Sequence, residues 1–327
     1  MTLPYLLKLL CLCLASFFLA HLALAVAVWV GTPAALRIAA RIRPALGARF
    51  LIFLRLLPAG LSGFIVAGIC VPSYLWLEPK TATGEGVGWV CLTLSVLTVT
   101  LGAVSISRGL VALARSVRYL RYCQRRGLRT ELPGESSPAW IVEEPPALFA
   151  IAGIVRPRLL VSRQVMRLLS GDQLAAALRH ERAHWTSRDN LKRLTLLLAP
   201  DMLPFFHGFG ALERSWARYS ERAADDRAVG GHASHSLSLA TALVRVSRLG
   251  TTPRASLLVA PLLADDDLPG RVERLLSAPP PTDNAHVKWM SCLLAGAAVI
   301  LSGTVIALGL QPAFLYPVHR VLEHLIR

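Results

Sequence analysis

The pair His180 and His184 is the feature of this sequence whose residue types and spacing point most directly to chemistry. Both lie in a helix predicted over residues 171–187, where a separation of four residues is close to one turn and puts both imidazoles on one face. Two imidazoles placed in this way can bind one tetrahedral cation. Glu181 lies beside the pair without having to be a ligand, so its carboxylate could take a proton from a water molecule on that metal.

A third ligand is expected on a second helix, because a catalytic zinc usually has three protein ligands and keeps a fourth position open. The helix predicted over residues 215–229 carries Glu221 and, one turn later, Asp225. We interpret Glu221 as the third ligand. Asp225 would accept a hydrogen bond from the far nitrogen of a metal-binding histidine and fix its tautomer. The predicted cofactor is one Zn²⁺ per chain, since imidazoles with a carboxylate suit zinc better than magnesium or calcium.

The alternative to a metal site is a chance coincidence of His and Glu on a solvated helix face. With 9 His in 327 residues, the complete His-Glu-x-x-His spacing arises by chance in roughly one chain in a hundred. The helical context and the downstream Glu-x-x-x-Asp spacing make coincidence rarer still. The sequence therefore favours a zinc peptidase centre with Glu181 as its catalytic base.

The composition of the chain is that of a membrane protein. Hydrophobic residues make up 54% of the chain, and the mean hydropathy is +0.50, which is too apolar for an ordinary soluble domain. The net charge is +15, and in a membrane protein such an excess reflects the positive-inside bias rather than direct nucleic-acid binding. The 6 cysteines show no disulfide framework.

Four apolar stretches are long enough to cross a bilayer, which takes about 20 residues. The predicted spans are residues 3–30, 50–77, 87–113 and 288–310. The first three form a membrane unit over residues 1–114, and residues 311–327 are a short tail after the fourth. Residues 115–287 are long enough to bury a core of their own. The predicted fold class is a mainly α membrane protein with four transmembrane helices and an inserted α+β domain that carries the zinc motif.

The distribution of arginine predicts the sidedness of these spans. Residues 31–49 contain four Arg and no acid, and residues 115–129 contain six Arg and no acid. The connection between the second and third spans, residues 78–85, is instead slightly acidic. Because basic loops stay on the cytoplasmic side, we expect the N-terminus outside, the zinc domain in the cytoplasm, and the C-terminal tail outside.

Three short strands are predicted ahead of the zinc helix, at residues 139–142, 148–152 and 158–161. If residues 148–153 form an exposed edge strand beside the metal, an extended substrate could pair with it by β-augmentation. An ordinary hairpin strand is the equally weighted alternative.

Two features that follow the zinc helix also allow two interpretations. Asp189 is interpreted as the cap of the next helix rather than as a partner of a metal-binding histidine. Residues 194–209 are apolar but are interrupted by prolines and Asp201. We therefore predict that they form core or a patch on the bilayer, and not a membrane span.

Three segments of the chain resemble the BlaR/MecR-type membrane metallopeptidases, which transmit an external beta-lactam signal by cytoplasmic proteolysis. The segments are residues 153–162 (GIVRPRLLVS), 177–191 (ALRHERAHWTSRDNL) and 220–229 (SERAADDRAV). They are similar to that family's strand, zinc-helix and third-ligand segments, and the order of the spans is similar as well. The resemblance implies a gluzincin fold, zinc held by the two histidines and Glu221, Glu181 as the base, and a cytoplasmic repressor as the substrate.

The expected partners are therefore the lipid bilayer and a protein substrate, and two other functions stay open. The antibiotic sensors carry a large penicillin-binding domain after the last span, which this chain is expected to lack. An HtpX-like quality-control protease would share the zinc motifs but usually has membrane spans between the zinc helix and the third ligand. A catalytically silent signalling scaffold would use the metal structurally, although no fourth protein ligand is placed to close such a site.

Overall fold

The computed structural model describes most of the chain. The described residues are 3–78, 87–131, 138–143, 148–154, 157–201, 209–249, 259–261, 267–277, 296, 300, 303–305, 307–309 and 311–326. Helices predominate among them, and a small mixed sheet of five strands accompanies them.

Three long apolar helices form the N-terminal part. They are α1 (Leu3–Arg41), the pair α2 (Pro44–Ile65) and α3 (Val71–Leu77) joined without a break by a π turn (Val66–Cys70), and α4 (Trp89–Arg126). Each is long and apolar enough to cross a membrane. The first two contain the first two predicted spans, and α4 covers the third from residue 89 onward. Helices α1 and α4 extend further than those spans because their basic C-terminal ends continue the same helix.

Hydroxyl groups connect α4 to α1 inside this bundle. Ser95 Oγ donates a hydrogen bond to the carbonyl oxygen of Cys11 at 2.7 Å, and Thr98 Oγ1 donates to that of Leu14 at 3.0 Å. Small polar side chains allow apolar helices to approach closely while their hydroxyls find acceptors. The contact is therefore typical of helices that pack within a bilayer.

Most of the predicted fourth span, residues 288–310, lies outside the described residues. A helical segment, Gly303–Gly309, is followed after a bend of 82° by a C-terminal helix, and the two could form one broken span. The described chain therefore has three candidate spans, or four if the bent pair counts as one. The C-terminal helix, Pro312–Ile326, buries Leu315 and Leu322 against the π turn and its neighbours, so the predicted tail packs on the bundle.

The sheet lies in the part of the chain that follows α4. Its strands are β1 (Leu128–Thr130), β2 (Ala139–Val142), β3 (Phe149–Ala152), β4 (Arg158–Ser162) and β5 (Val259–Pro261), in the order β1-β2-β4-β3-β5. Strands β2 and β4 are parallel, and the other neighbouring pairs are antiparallel. The three predicted strands are present with limits that differ by at most one residue.

The prediction that residues 148–153 form an exposed edge strand is wrong. Strand β3 pairs with β4 on one side and with β5 on the other, where Ile151 lies opposite Ala260. The prediction failed because β5 is only three residues long and follows β3 by about a hundred residues, so no local pattern announces the pairing.

Six helices complete the described fold of this domain. They are α5 (Arg163–Leu168), α6 (Gly171–Ser187), α7 (Asp189–Leu198), α8 (Gly210–Val229), α9 (Ala233–Ser247) and α10 (Leu268–Leu276). Apolar side chains of β3, β4, α6, α8 and α9 form one buried core, which includes Phe149, Val161, Ala177 and Leu243. Helix α6 begins with a capping box, in which Gln173 Oε1 accepts a hydrogen bond from the Ser170 amide at 3.2 Å. The core and the cap together fix the position of α6.

Helix α8 also packs on the membrane helix α2. Trp216 of α8 and Leu51 of α2 share a buried cluster with Phe209. Arg55 of α2 is 3% exposed and forms an ion pair with Glu213 of α8 at 2.8 Å, while its guanidinium lies 4.3 Å from the centre of the Phe209 ring. Leu196 and Phe209 of the apolar stretch 194–209 are therefore core, whereas Leu198 is 37% exposed. Residues 202–208 lie outside the described residues.

We predict that Gly109→Ala destabilises the contact between α4 and α7. A Cβ at Gly109 would lie 2.4 Å from Leu198 Cδ2, whereas a Cβ at Gly102 of the same helix meets nothing within 4 Å. Overpacking of this kind costs about 1–3 kcal/mol, so thermal unfolding of the detergent-solubilised protein should occur at a lower temperature for Gly109→Ala. The matched control Gly102→Ala should unfold like the wild type, and equal melting of both variants would contradict the prediction.

Candidate metal centre

Helices α6 and α8 bring the three predicted ligands together. His180 and His184 project from α6 and are 0% and 3% exposed, and their Nε2 atoms lie 3.1 Å apart. Glu221 projects from α8, and its Oε2 lies 3.5 Å from each of these Nε2 atoms. The ligand atoms of all three residues lie within 4.8 Å of one another. Residues that are separated by some forty positions in the sequence thus converge on one point.

The two 3.5 Å distances between Glu221 and the imidazoles fit a shared metal ion better than hydrogen bonds, and the 3.1 Å between the imidazole nitrogens is compatible with either. Zinc bonds of about 2.0–2.1 Å in tetrahedral geometry leave neighbouring ligand atoms about 3.3 Å apart, whereas N–H···O hydrogen bonds are about 2.7–3.2 Å long. Both carboxylate oxygens of Glu221 are buried and accept no hydrogen bond from the described residues. Arg271 and Arg193 lie 3.3 and 3.7 Å from these oxygens and compensate part of the buried charge. The donor set of two imidazoles and one carboxylate fits zinc.

Buried carboxylates orient both imidazoles. His180 Nδ1 lies 2.9 Å from Asp225 Oδ1, and His184 Nδ1 lies 2.8 Å from Asp189 Oδ2. With Nδ1 facing an acid, each ring turns Nε2 toward the metal position. Burial alone would lower the pKa of His184, but Glu221 and Asp189 raise it to about 10. A metal ion must therefore displace protons from this site.

Asp189 is a partner of a ligand, and its interpretation as a helix cap was wrong. The N-cap position of α7 is Arg188, in a left-handed conformation with φ 54°, and Asp189 is the first helical residue. Its carboxylate also accepts a hydrogen bond from Ser220 Oγ and pairs with Lys192, both at 2.8 Å. Burial raises the pKa of Asp189, but His184 and Lys192 outweigh burial and bring it to about 2. Asp189 thus stays anionic beside His184.

The side chain of Glu181 is fixed between α6 and the sheet. It is 1% exposed, and its Oε2 accepts a hydrogen bond from the backbone amide of Ile151 in β3 at 3.0 Å. Its Oε1 is buried and has no hydrogen-bond partner among the described residues. Burial raises the pKa of Glu181 to about 7, although the neighbouring histidines act in the opposite direction. A carboxylate with a pKa near neutrality is suited to accept and return a proton.

Arg271 of α10 is a site residue that the sequence analysis missed. It is 1% exposed, and it donates two hydrogen bonds to Asp225, from Nε at 2.9 Å and from Nη2 at 2.8 Å. Its Nη1 lies 3.3 Å from Glu221 Oε2. Although burial raises the pKa of Asp225, Arg271 and His180 hold it well below its usual range. No short-range motif marks this arginine, because its partners lie about fifty residues earlier in the chain.

A cavity of about 810 Å³ lies beside His184, within the usual size range of substrate sites. Its lining includes Ile151, Gly153, His184, Trp185 and Asn190. The Asn190 side-chain amide donates hydrogen bonds to the carbonyl oxygens of Ile151 and Gly153, each at 3.1 Å. The end of β3 is thereby held against the start of α7, and the space beside the metal position stays open.

We predict that Arg271→Met weakens zinc binding by about 10–100-fold, because Arg271 holds Asp225 and Asp225 orients the predicted ligand His180. The control is Arg274→Met on the same helix, because Arg274 pairs with Asp226 at 2.6 Å and not with the centre. Zinc affinity is measured by competition with a chelator, and circular dichroism checks folding. Arg271→Lys, which keeps the charge but loses the bidentate contact, should give an intermediate affinity. Unchanged affinity in both Arg271 variants would contradict the role assigned to this residue.

Comparison with known proteins agrees with this centre. Residues 128–282 match Peptidase family M48. This stretch begins with β1, ends after α10 and contains all the residues of the candidate metal centre. No curated protein matches the chain. M48 peptidases are zinc metalloproteases. The match, the candidate His-His-Glu metal site and the apolar helices together support a membrane-associated metalloprotease.

Proposed function

We propose that the chain is an integral-membrane zinc endopeptidase of the His-Glu-x-x-His type. In this proposal His180, His184 and Glu221 hold one zinc ion, Glu181 is the catalytic base, and Asp225 and Asp189 orient the histidines. The observation that carries the proposal is the convergence of two imidazoles and one carboxylate on a buried point, within the stretch that matches the M48 family.

The residues of the chain have distinct tasks in peptide hydrolysis. Zinc, when bound, supplies a Lewis acid that polarises the scissile carbonyl and makes water more acidic. The carboxylate of Glu181, held by the Ile151 amide, takes the proton of the attacking water and returns it to the leaving amine. Arg271 keeps Asp225 aligned with His180. The open cavity beside His184 receives the peptide. The peptide cannot pair with β3 while β5 occupies that edge of the strand.

Two arguments support a cytoplasmic protein as the substrate. The arginine-rich ends of α1 and α4 favour a cytoplasmic position for the domain under the positive-inside rule. The resemblance to the BlaR/MecR-type peptidases suggests a repressor that is cleaved in response to an external signal, and this part of the proposal rests on that resemblance alone.

The structure gives reasons to rank this proposal above the two alternatives. An HtpX-like quality-control protease is expected to have membrane spans between the zinc helix and the third ligand. Within the described part of that interval, α7 has only 10 residues. A silent scaffold would use a closed metal site, but among the described residues no fourth His, Cys, Asp or Glu joins the three ligands. The buried Glu181 oxygen that accepts no hydrogen bond from the described residues is also more readily explained in a catalytic site.

We predict that Glu181→Gln retains zinc and the fold but loses peptide hydrolysis by roughly 10²–10⁴-fold, because the amide cannot accept a proton. Zinc content is measured by mass spectrometry and hydrolysis with an unstructured protein such as casein. The control Glu273→Gln replaces an exposed glutamate of α10 and should leave both quantities unchanged. Wild-type hydrolysis by Glu181→Gln would remove Glu181 from the mechanism.

We predict that impermeant thiol reagents label intact cells at Thr83→Cys and Pro317→Cys but not at Ser136→Cys. The reason is the arginine distribution, which assigns the first two positions to the outside and the third to the cytoplasm. Permeabilised cells serve as the control, since all three variants should then react. Labelling of Ser136→Cys in intact cells would place the peptidase domain outside and exclude a cytoplasmic substrate.

A further inference from the structure

A second group of metal-ligating side chains lies at the end of the helical bundle away from the peptidase domain. Glu78 follows the last turn of α3, and His319 and Glu323 lie one turn apart on the C-terminal helix. His319 Nε2 is 3.6 Å from Glu78 Oε2 and 3.5 Å from Glu323 Oε1. One ligand atom from each residue lies within 4.8 Å of the other two. This group of three residues is called the bundle-end cluster below.

The separations in the bundle-end cluster are those of ligands around one ion. Distances of 3.5 and 3.6 Å are longer than ordinary N–H···O hydrogen bonds of about 2.7–3.2 Å. They are close to the separation of about 3.3 Å between two ligands of a tetrahedral zinc ion. The histidine nitrogens of the peptidase centre stand at the same distance, 3.5 Å, from Glu221. The distances from histidine to carboxylate are therefore similar in the two clusters.

The charge balance of the cluster also favours a cation. The side chains of Glu78 and His319 are only 8% and 12% exposed, and a carboxylate removed from water needs positive charge nearby. Lys8 of α1 supplies one charge, but its Nζ lies 3.1 Å from Oε1 of Glu78. The opposite oxygen, Oε2, faces His319. The Lys8 ammonium group therefore pairs with the Glu78 oxygen that faces away from His319, and the other oxygen points to where the ligand atoms converge.

The surrounding contacts show that this cluster is built into the packing of the bundle. Ser73 Oγ of α3 donates a hydrogen bond to the Leu315 carbonyl oxygen of the C-terminal helix at 3.3 Å. Leu322 of the C-terminal helix is 4% exposed and packs in one cluster with Tyr5 and Tyr74. Apolar and polar contacts therefore set the two helices beside each other, and the ligand atoms need no large movement to share an ion.

We propose that Glu78, His319 and Glu323 form a second divalent-metal site, with zinc as the fitting class of ion. One nitrogen and two oxygen ligands suit a borderline cation such as zinc. Glu323 is 46% exposed, so solvent reaches the site and supplies the remaining position. The ion cross-links α3 and the C-terminal helix, while Lys8 brings in α1. This site is independent of the proposed peptidase function.

The test counts zinc ions on the purified full-length protein in detergent. The protein is stripped with a chelator, reloaded with Zn²⁺, desalted and measured by mass spectrometry. The expected result is two zinc ions per chain for the wild type, one for His319→Ala, one for His180→Ala and none for the double variant. The control is His324→Ala, which replaces an exposed histidine of the same helix outside the cluster and should keep two.

A second variant addresses the chance that His319→Ala disturbs the packing of the C-terminal helix. Glu323→Gln keeps the shape of a half-exposed side chain, so the melting temperature without zinc should stay at the wild-type value. Its bundle-end zinc affinity should fall by at least about tenfold in a chelator competition. Two zinc ions on His319→Ala, or a single zinc ion on the wild type that His180→Ala loses, would overturn the proposal. Loss of zinc in His319→Ala without loss in His180→Ala would support it and count against the proposed peptidase centre.

Discussion

The burial of four carboxylates around one point is the constraint on which the peptidase domain depends. Glu181, Asp189, Glu221 and Asp225 are each at most 2% exposed, and buried anions are stable only when positive charge compensates them. Lys192, Arg193, Arg271 and the proposed zinc ion supply that charge. These groups come from α6, α7, α8 and α10, so electrostatic balance at the centre also determines how four helices are arranged. Hydrophobic packing brings the helices together, and the pairing of the buried carboxylates with cations favours one relative position of these four helices.

Helix α8 connects this centre to the membrane part of the chain. One stretch of the helix carries Glu221 and Asp225, and an earlier stretch packs against α2 through Trp216 and through the ion pair between Glu213 and Arg55. A helix is stiff over this length, because each turn is held by backbone hydrogen bonds. A displacement of α2 relative to the domain would therefore reach Glu221, the proposed ligand, through one rigid element.

The sequence predicted the parts of the site that repeat at helical spacing. His180, His184, Glu221 and Asp225 are each recognisable because residues four positions apart share a helix face, and apolar length revealed the three long helices. Arg271 and the pairing of β5 with β3 were missed because they depend on contacts across long stretches of chain. Asp189 was misread because an aspartate at a helix start fits a cap and a histidine partner equally well. Only the distance to His184, 2.8 Å, separates the two.

The π turn of Val66–Cys70 determines which side of α3 each of the following side chains occupies. A π turn holds one more residue than an α turn, and one residue corresponds to about 100° of rotation around a helix axis. Without the extra residue, the side chains of Ser73, Tyr74 and Glu78 would be rotated by that angle around the helix axis, away from the C-terminal helix. The single extra residue of the π turn thus rotates the helix that follows it, and this rotation places Glu78 beside His319.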